Sequence, residues 1–218
     1  HASYRRQRQM CIRDSEWVRL LLERAPLIEP LGLKDILLRR ASDPVAEVAN
    51  KVTLCLAKAI EADRDFGHQL ALRLHEREET LVRRAMADVL TRLFRRLTWD
   101  ALPLLDDMLT SDDEGVLAAA SATVGDVKYL DKEQWADRLR QLADHPLAIV
   151  RRNLVPNLRE YIEFDPADSR GLFHQLWKDG DEVVRTRLRE LMLRMEEVAP
   201  DRFAAQVKAV SYTHLRAH

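Results

Sequence analysis

Apolar residues recur along this chain with a period of 34 residues. Steps of 34 from Val150 reach a valine each time, and the positions four and eight residues after every such valine are also apolar. Offsets of four and eight return close to one face of an α-helix, so one apolar helix face is repeated five times. The three sets are the register valines Val48, Val82, Val116, Val150 and Val184; then Val52, Met86, Ala120, Leu154 and Leu188; and Leu56, Leu90, Val124, Leu158 and Met192.

A further helix with the same period precedes each of these helices. Its apolar positions are Leu37, Ala71, Leu105, Leu139 and Phe173, with Leu74, Met108, Leu142 and Leu176 as a second set. Only six of the 218 residues are glycine, and no segment shows sustained alternation of β-branched residues. The pattern predicts an all-α chain of helix pairs, because a lone pair cannot bury its apolar face and must stack on its neighbours.

The period predicts five complete 34-residue helix pairs. They lie at 33–62, 63–97, 98–130, 131–164 and 165–199, with partial repeats at 16–32 and 200–209. The outermost apolar residues then belong to helices whose stacking neighbours are missing. We expect these residues, Val18, Leu22, Phe203 and Val207, to be exposed and to favour self-association or fraying.

The two ends of the chain have a different character. Residues 5–15 read RRQRQMCIRDS and residues 210–218 read VSYTHLRAH, and both resemble translated sequencing-adapter DNA. We therefore expect 1–15 and 210–218 to be non-native and 16–209 to be a metagenomic fragment. Without the ends, five of the 35 basic and one of the 36 acidic residues are lost, which leaves a net charge of −5. This balance argues mildly against a dedicated nucleic-acid binder.

Turn residues indicate where the second helices begin. The sequence Ser-Asp-Pro at 42–44 predicts one helix start. Capping-box spacing at 111–114 and at 179–182 predicts two more. Pro156 lies inside the fourth second helix and is expected to kink it, because proline lacks a backbone donor and crowds the preceding turn.

The turn and second-helix motifs resemble those of the HEAT repeat family. Asp43 and Asp179 lie five residues before a register valine, as in the HEAT pattern, and Arg83, Arg151 and Arg185 directly follow theirs. The departures are Asp112 and Asp144, each displaced by one residue, Arg77 in place of a turn aspartate, and Ala49 and Leu117 in place of the arginine. The W-x2-L-G-x2-Y signature of tetratricopeptide repeats is absent from every unit. The resemblance implies a right-handed, armadillo-like α-α superhelix, an α-solenoid, whose second helices line the concave side.

Arginines on the predicted second helices are the main candidate binding residues. They are Arg83, Arg84, Arg151, Arg152, Arg185 and Arg187. A row of guanidinium groups could hold phosphates or an acidic peptide. The HEAT resemblance implies instead that the arginine directly after each valine bonds to a turn aspartate and forms a structural ladder. Arg84 and Arg152, one position further on, are therefore the arginines expected to be free for a partner.

No residues have the spacing of a catalytic or metal-binding motif. Cys55 is the only cysteine outside the adapter-like ends and is expected to be a buried core residue. The histidines form no HExxH or similar motif, and no glycine-rich phosphate loop is present. The acidic clusters at 112–114 and 179–182 are expected to cap helices. We therefore expect no catalytic residue, no metal and no cofactor.

Three tryptophans bear on the main functional alternative. HEAT-like DNA alkylation-repair glycosylases contact the lesion with tryptophans and an aspartate, and here Trp99 precedes Asp100. Trp135, however, lies on a predicted first helix, away from the concave layer. We expect Trp99, Trp135 and Trp177 to be packing residues.

The sequence favours a non-enzymatic HEAT-repeat scaffold that mediates protein–protein interaction through its concave second-helix face. A protein or peptide is the expected partner. The alternative is nucleic-acid binding, in relation to the alkylation-repair glycosylases. A chromophore-lyase-like HEAT protein is a further alternative that no residue supports. No stretch approaches 18 uninterrupted apolar residues, so we expect no membrane span and a cytoplasmic location.

Overall fold

The computed structural model describes residues 32–198, 200, 201 and 204, and every regular element within them is helical. The helices are α1 Leu33–Ala41, α2 Ala46–Thr53, α3 Leu56–Ala62, α4 Arg64–His75, α5 Thr80–Leu97, α6 Leu102–Met108, α7 Glu114–Val127, α8 Lys132–Ala143, α9 Ala148–Leu154, α10 Leu158–Phe164, α11 Pro166–Trp177 and α12 Glu182–Val198. The predicted all-α class is confirmed. Val18, Leu22, Phe203, Val207 and the two adapter-like ends lie outside the described residues.

The chain divides into two compact units, one up to Asp126 and one from Val127. In the first unit, α1 packs on α2 and α4 packs on α5; α1 also contacts α4, and α2 contacts α5. In the second unit, α8 and α9 form one such pair and α11 and α12 another, with α8 against α11 and α9 against α12. Within each unit, first helices therefore stack on first helices and second helices on second helices, which is the packing of a repeat array.

The recurring apolar positions form the core. All five register valines are fully buried, and every other position in the recurring sets of both helices is at most 8% exposed. A helix face that repeats every 34 residues is therefore the face that each pair turns toward its neighbours. Because the core positions are repeated rather than unique, the two units share one packing scheme.

Two of the second helices are interrupted. At Pro156, where a kink is predicted, a 3-10 turn, Val155–Asn157, separates α9 from α10. Pro156 cannot donate to the carbonyl of Arg152, and that carbonyl instead accepts from Nη1 of Arg187 at 3.0 Å. Leu54 and Cys55 separate α2 from α3, an interruption that no proline predicts.

Several helix starts differ from the predicted ones. The helix after the turn at 42–44 begins only at Ala46. Asp113, rather than a capping box at 111–114, caps α7, with Oδ1 accepting from the backbone of Val116 at 3.1 Å. Asp181 caps α12 in the same way, with Oδ1 accepting from Val184 at 3.0 Å. The capping carboxylate thus stands three residues before the register valine, because a side chain at the residue before the helix reaches the free amides of the first turn.

Candidate functional site

Arg151 forms the most enclosed ion pair among the predicted binding residues. Its Nε and Nη2 donate to the two carboxylate oxygens of Asp179 at 2.6 and 2.8 Å. Its Nη1 donates to the carbonyls of His145 at 2.7 Å and Pro146 at 2.9 Å. The side chains of Arg151 and Asp179 are only 17% and 6% exposed, and the arginine lowers the pKa of Asp179. This contact, from one helix pair to the turn aspartate of the next, is of the kind that the HEAT resemblance implies for the arginine after each register valine.

Arg152 is not free, contrary to the expectation from sequence. Its Nε and Nη2 donate to the carboxylate of Asp181 at 3.0 and 2.5 Å. The hydrogen bond from Arg152 lowers the pKa of Asp181, and the backbone amide of Val184 adds to the effect. Asp181 therefore does two things at once, because it caps α12 and holds the arginine of α9.

Arg84 makes the equivalent contact in the first unit and is also not free. Its Nε lies 3.0 Å from both carboxylate oxygens of Asp113, the residue that caps α7. The Arg84 side chain is 58% exposed, so one side of its guanidinium remains open to solvent. The hydrogen bond from Arg84 lowers the pKa of Asp113.

The remaining predicted arginines each contact an oxygen atom of the protein. Arg83 lies 3.4 Å from the carboxylate of Asp107, which also faces Nε2 of His75 at 3.2 Å. Arg185 donates to the backbone carbonyl of Asp179. Arg187 donates to the carbonyl left without a partner by Pro156. All six candidate arginines therefore have a structural contact.

A spacing rule could have identified these partners from the sequence. The arginine two residues after a register valine meets the aspartate three residues before the next one, and the two lie 29 residues apart. The pairs are Arg84 with Asp113 and Arg152 with Asp181. The HEAT resemblance predicts another pairing, between the arginine directly after a register valine and the turn aspartate of the next helix pair. This pairing is present at Arg151 and Asp179, where the sequence supplies both residues.

Arg77 links the first two helix pairs although both depart from the HEAT pattern. The first pair has Ala49 where an arginine is expected, and the second pair has Arg77 where an aspartate is expected. Nη1 of Arg77 donates backward, to the carbonyls of Ala41 at 3.2 Å and Asp43 at 2.7 Å. The two helix pairs are therefore still linked, but the second pair supplies the arginine and the turn of the first pair supplies the acceptors.

Trp135 is the centre of an aromatic cluster in the second unit. It is 1% exposed, and its ring meets Tyr161 edge-on at 5.6 Å and Phe164 at 6.3 Å. Its indole Nε1 finds no acceptor among the described residues. The prediction of a packing role is therefore confirmed for Trp135, whereas Trp99 is 49% exposed.

A network of polar groups borders this cluster. The hydroxyl of Tyr161 donates to Oδ2 of Asp168, which also accepts from Nε of Arg140 at 3.0 Å. Burial, followed by the hydrogen bond to Asp168, raises the pKa of Tyr161. The same hydrogen bond is the main cause of the lowered pKa of Asp168. The network links α8, α10 and α11 and stabilises the second unit.

An open cavity of ≈ 570 Å³ lies beside the aromatic cluster. Tyr129, Trp135 and Phe164 supply aromatic surface, while Lys132 and Glu163 are exposed at its edge. Lys128 and Glu160, which also line it, are joined at 2.6 Å. Nothing in the sequence patterns pointed to this cavity, because its residues come from three separate segments.

Groups needed to hold a metal ion do not converge in the described parts of the chain. Over 32–198 and the three further described residues, no three His, Cys, Asp or Glu side chains form a possible metal site. Cys55 is buried, with its Sγ 3.9 Å from the carbonyl of Lys51. No helix in the described ranges is long and apolar enough to cross a bilayer.

Comparison with solved structures identifies the class of fold. The chain is similar to an engineered protein from the Northeast Structural Genomics Consortium, with 17% identity over 84% of this chain and 90% of that one, at a TM-score of 0.53. It is also similar to a designed armadillo repeat protein, with 14% identity over 91% of both chains, at a TM-score of 0.53.

A second designed armadillo repeat protein, solved in complex with the peptide (KR)4, is 14% identical over 93% of this chain and 92% of that one, at a TM-score of 0.57. Comparisons with known protein families and with curated proteins found no match. At these identities the likeness concerns the fold alone. The chain therefore has an α-solenoid repeat fold, similar to that of the designed armadillo repeat proteins.

Proposed function

We propose that this chain is a non-enzymatic scaffold that binds a protein or peptide segment along the exposed face of its second helices. One observation carries the proposal. The position six residues after each register valine is exposed in every pair, and five different residues occupy it: Leu54, Asp88, Ala122, Pro156 and Glu190. The packing positions of the same helices are uniformly apolar and buried. A constant frame that presents varied side chains at one repeated position is typical of solenoids that recognise an extended partner.

The finer architecture belongs to the same proposal. We infer a right-handed, HEAT-like superhelix of five complete 34-residue repeats, with the second helices on the concave side. The Arg151–Asp179 contact supports the HEAT-like assignment, because it joins the two motif positions that define the resemblance. The similarity to a designed armadillo repeat protein that was solved with a peptide supports the choice of partner class.

Nucleic-acid binding is the second candidate and has less support. Its motivation was a row of free arginines, and Arg84, Arg151 and Arg152 each form an ion pair with an aspartate. A phosphate would have to compete with these carboxylates for the same guanidinium groups. Titration of the full chain with duplex DNA at two salt concentrations distinguishes the candidates. We expect weak binding, and steeply salt-dependent tight binding would favour the second candidate.

Selection from a random-peptide phage library against the full chain tests the scaffold proposal. Binding of the selected peptides is then measured for wild type, Asp88→Lys and the control Gln69→Lys. Asp88 is exposed on second helix α5, whereas Gln69 is exposed on first helix α4 of the same unit. We expect Asp88→Lys to change affinity at least fivefold and Gln69→Lys to leave it unchanged. Equal effects of the two substitutions, or failure to select any peptide, would contradict the proposal.

A further inference from the structure

The cavity beside Trp135 offers a site for one particular kind of side chain. Its volume of ≈ 570 Å³ falls within the range of small-molecule and side-chain pockets. Tyr129, which is 76% exposed, and Phe164 present ring surface to it, and the buried ring of Trp135 lies behind them. The three neighbouring rings of Trp135, Tyr161 and Phe164 already pack at centroid distances of 5.6 to 6.5 Å.

The charges at the edge of the cavity favour a charged occupant of neither sign. Lys128 and Lys132 carry positive charge, and Glu160 and Glu163 carry negative charge. The ammonium of Lys128 already pairs with Glu160 at 2.6 Å and lies 5.0 Å from the ring centre of Tyr129. A cation and an anion would therefore each meet two like and two opposite charges at this edge, and the ring of Tyr129 already holds the ammonium of Lys128.

We propose that this cavity receives an uncharged aromatic side chain of the peptide partner. The balanced edge removes any preference for a charged group, and the ring surface of Tyr129 and Phe164 allows the ligand to extend the existing edge-to-face cluster. Aromatic side chains in such sites supply much of the affinity of peptide and protein complexes, while the polar edge excludes water. The inference rests on the proposed scaffold function and names the anchor residue of its partner.

The indole of Trp135 reports on the site directly. Trp135 lines the cavity, so the resonance of its buried Nε1–H shifts with the ring current of an aromatic group placed nearby. The probes are the blocked amino acids N-acetyl-phenylalaninamide, N-acetyl-lysinamide and N-acetyl-glutamic acid amide, titrated into the full chain. The resonance is assigned with the variant Trp135→Phe. We expect the phenylalanine probe to shift it with half-saturation at about 1 mM, and the charged probes to bind at least fivefold more weakly.

Two substitutions of exposed aromatic residues distinguish specific binding at this cavity from nonspecific binding to exposed aromatic surface. Tyr129→Ala removes a mostly exposed ring of the cavity, and Trp99→Ala removes a half-exposed ring in the first unit. We expect Tyr129→Ala to weaken the phenylalanine probe at least fivefold and Trp99→Ala to have no effect. Tighter binding of a charged probe, an unchanged Tyr129→Ala variant, or no shift at 20-fold the expected half-saturation would each overturn the proposal.

Failure of this proposal differs from failure of the scaffold function. Selected peptides that bind the full chain, lack aromatic residues and have the same affinity for the Tyr129→Ala variant would support the scaffold function and contradict the aromatic site. If the phenylalanine probe binds but no peptide can be selected, the site stands and the scaffold function is wrong.

Discussion

Gly67 in the first unit and Trp135 in the second occupy the same register position, two periods apart. At Gly67 two helix backbones approach closely, whereas at Trp135 a large ring is buried. Gly67 lies in α4, and a methyl group added there would fall 2.6 Å from both Cα and N of Ile60 in α3. Trp135 lies in α8 and is 1% exposed, with its ring against Tyr161 and Phe164. The smallest and the largest residue therefore stand at one position of one repeat.

The connection before each helix accounts for the difference. A single residue, Asp63, joins α3 to α4, so the two backbones approach closely and only glycine fits between them. Four residues, 128–131, precede α8, which leaves room for a large ring and for the cavity beside it. Asp63 and Asp131 nevertheless cap their helices alike, with Oδ1 accepting from Phe66 at 3.1 Å and Gln134 at 2.9 Å. The cap is kept in both units, and the longer connection accompanies the larger buried residue.

Trp135→Ala should cause the largest loss of stability. The substitution removes the central ring of a buried cluster and leaves a void beside Tyr161 and Phe164. We expect the free energy of unfolding to fall by about 4 kcal/mol, measured by urea denaturation followed by circular dichroism. Trp99→Ala, at a half-exposed site, is the matched control. Equal losses for the two variants would contradict the packing role of Trp135.

Gly67→Ala tests the other half of the comparison. The new methyl group meets backbone atoms of α3, which cannot rotate away as a side chain could. We expect a loss of about 3 kcal/mol, although alanine is the better helix former. A neutral or stabilising effect in the same denaturation experiment would show that α3 and α4 can separate without cost.

Arg151→Ala should destabilise the second unit more than Arg84→Ala destabilises the first. Removing Arg151 leaves the 6% exposed carboxylate of Asp179 without its cation, and we expect a loss of about 2 kcal/mol. Arg84 is 58% exposed, so water replaces it at Asp113 and we expect the smaller change. The denaturation midpoints of the two variants test this order. A larger loss for Arg84→Ala would contradict the expectation that the more buried ion pair contributes more stability.

The sequence predicted the core better than the polar contacts, for a physical reason. Burial depends on the helix period, and each of the recurring apolar positions obeys it. Ion pairs depend instead on partners in the neighbouring helix pair. The sequence of its own helix therefore could not show that Arg152 has a partner, and Asp181 was predicted only to cap a helix. The spacing of 29 residues contains this information, but it becomes visible only when two repeats are aligned on their valines.

The cavity could not be predicted for a different reason. Tyr129 lies in a connection, Trp135 on a first helix and Phe164 at the end of a second helix, and they do not share a register. Helix periodicity describes what each pair has in common, whereas this site arises where the second unit differs from the first. A longer connection and a tryptophan in place of glycine were both present in the sequence, but their consequence depended on the path of the connecting residues.

Acid should weaken the second unit through Asp168 and Asp179. The pKa of Asp168 is lowered by hydrogen bonds from Tyr161 and Arg140, and that of Asp179 by hydrogen bonds from Arg151. A carboxyl whose pKa is lower in the folded state stabilises the fold above its unfolded pKa, about 3.9. That contribution is lost as pH falls through the folded value, so we expect midpoints that are flat near neutral pH and fall below about pH 4. The variant Asp179→Asn should show a shallower acid dependence, and an unchanged one would contradict the role of this pair.

Gly171→Ala should give the smallest effect and the opposite sign to Gly67→Ala. Gly171 lies within α11, and a methyl group built there has no atom within 4 Å outside its own helix and chain neighbours. Alanine loses less backbone entropy than glycine in a helix, so we expect a gain of about 0.7 kcal/mol, measured by the same urea denaturation. The two substitutions are chemically identical and differ only in what stands beside the added methyl group. If both destabilised the protein, the cost at Gly67 could not be assigned to the approach of α3, and the contrast with Trp135 would lose its physical basis.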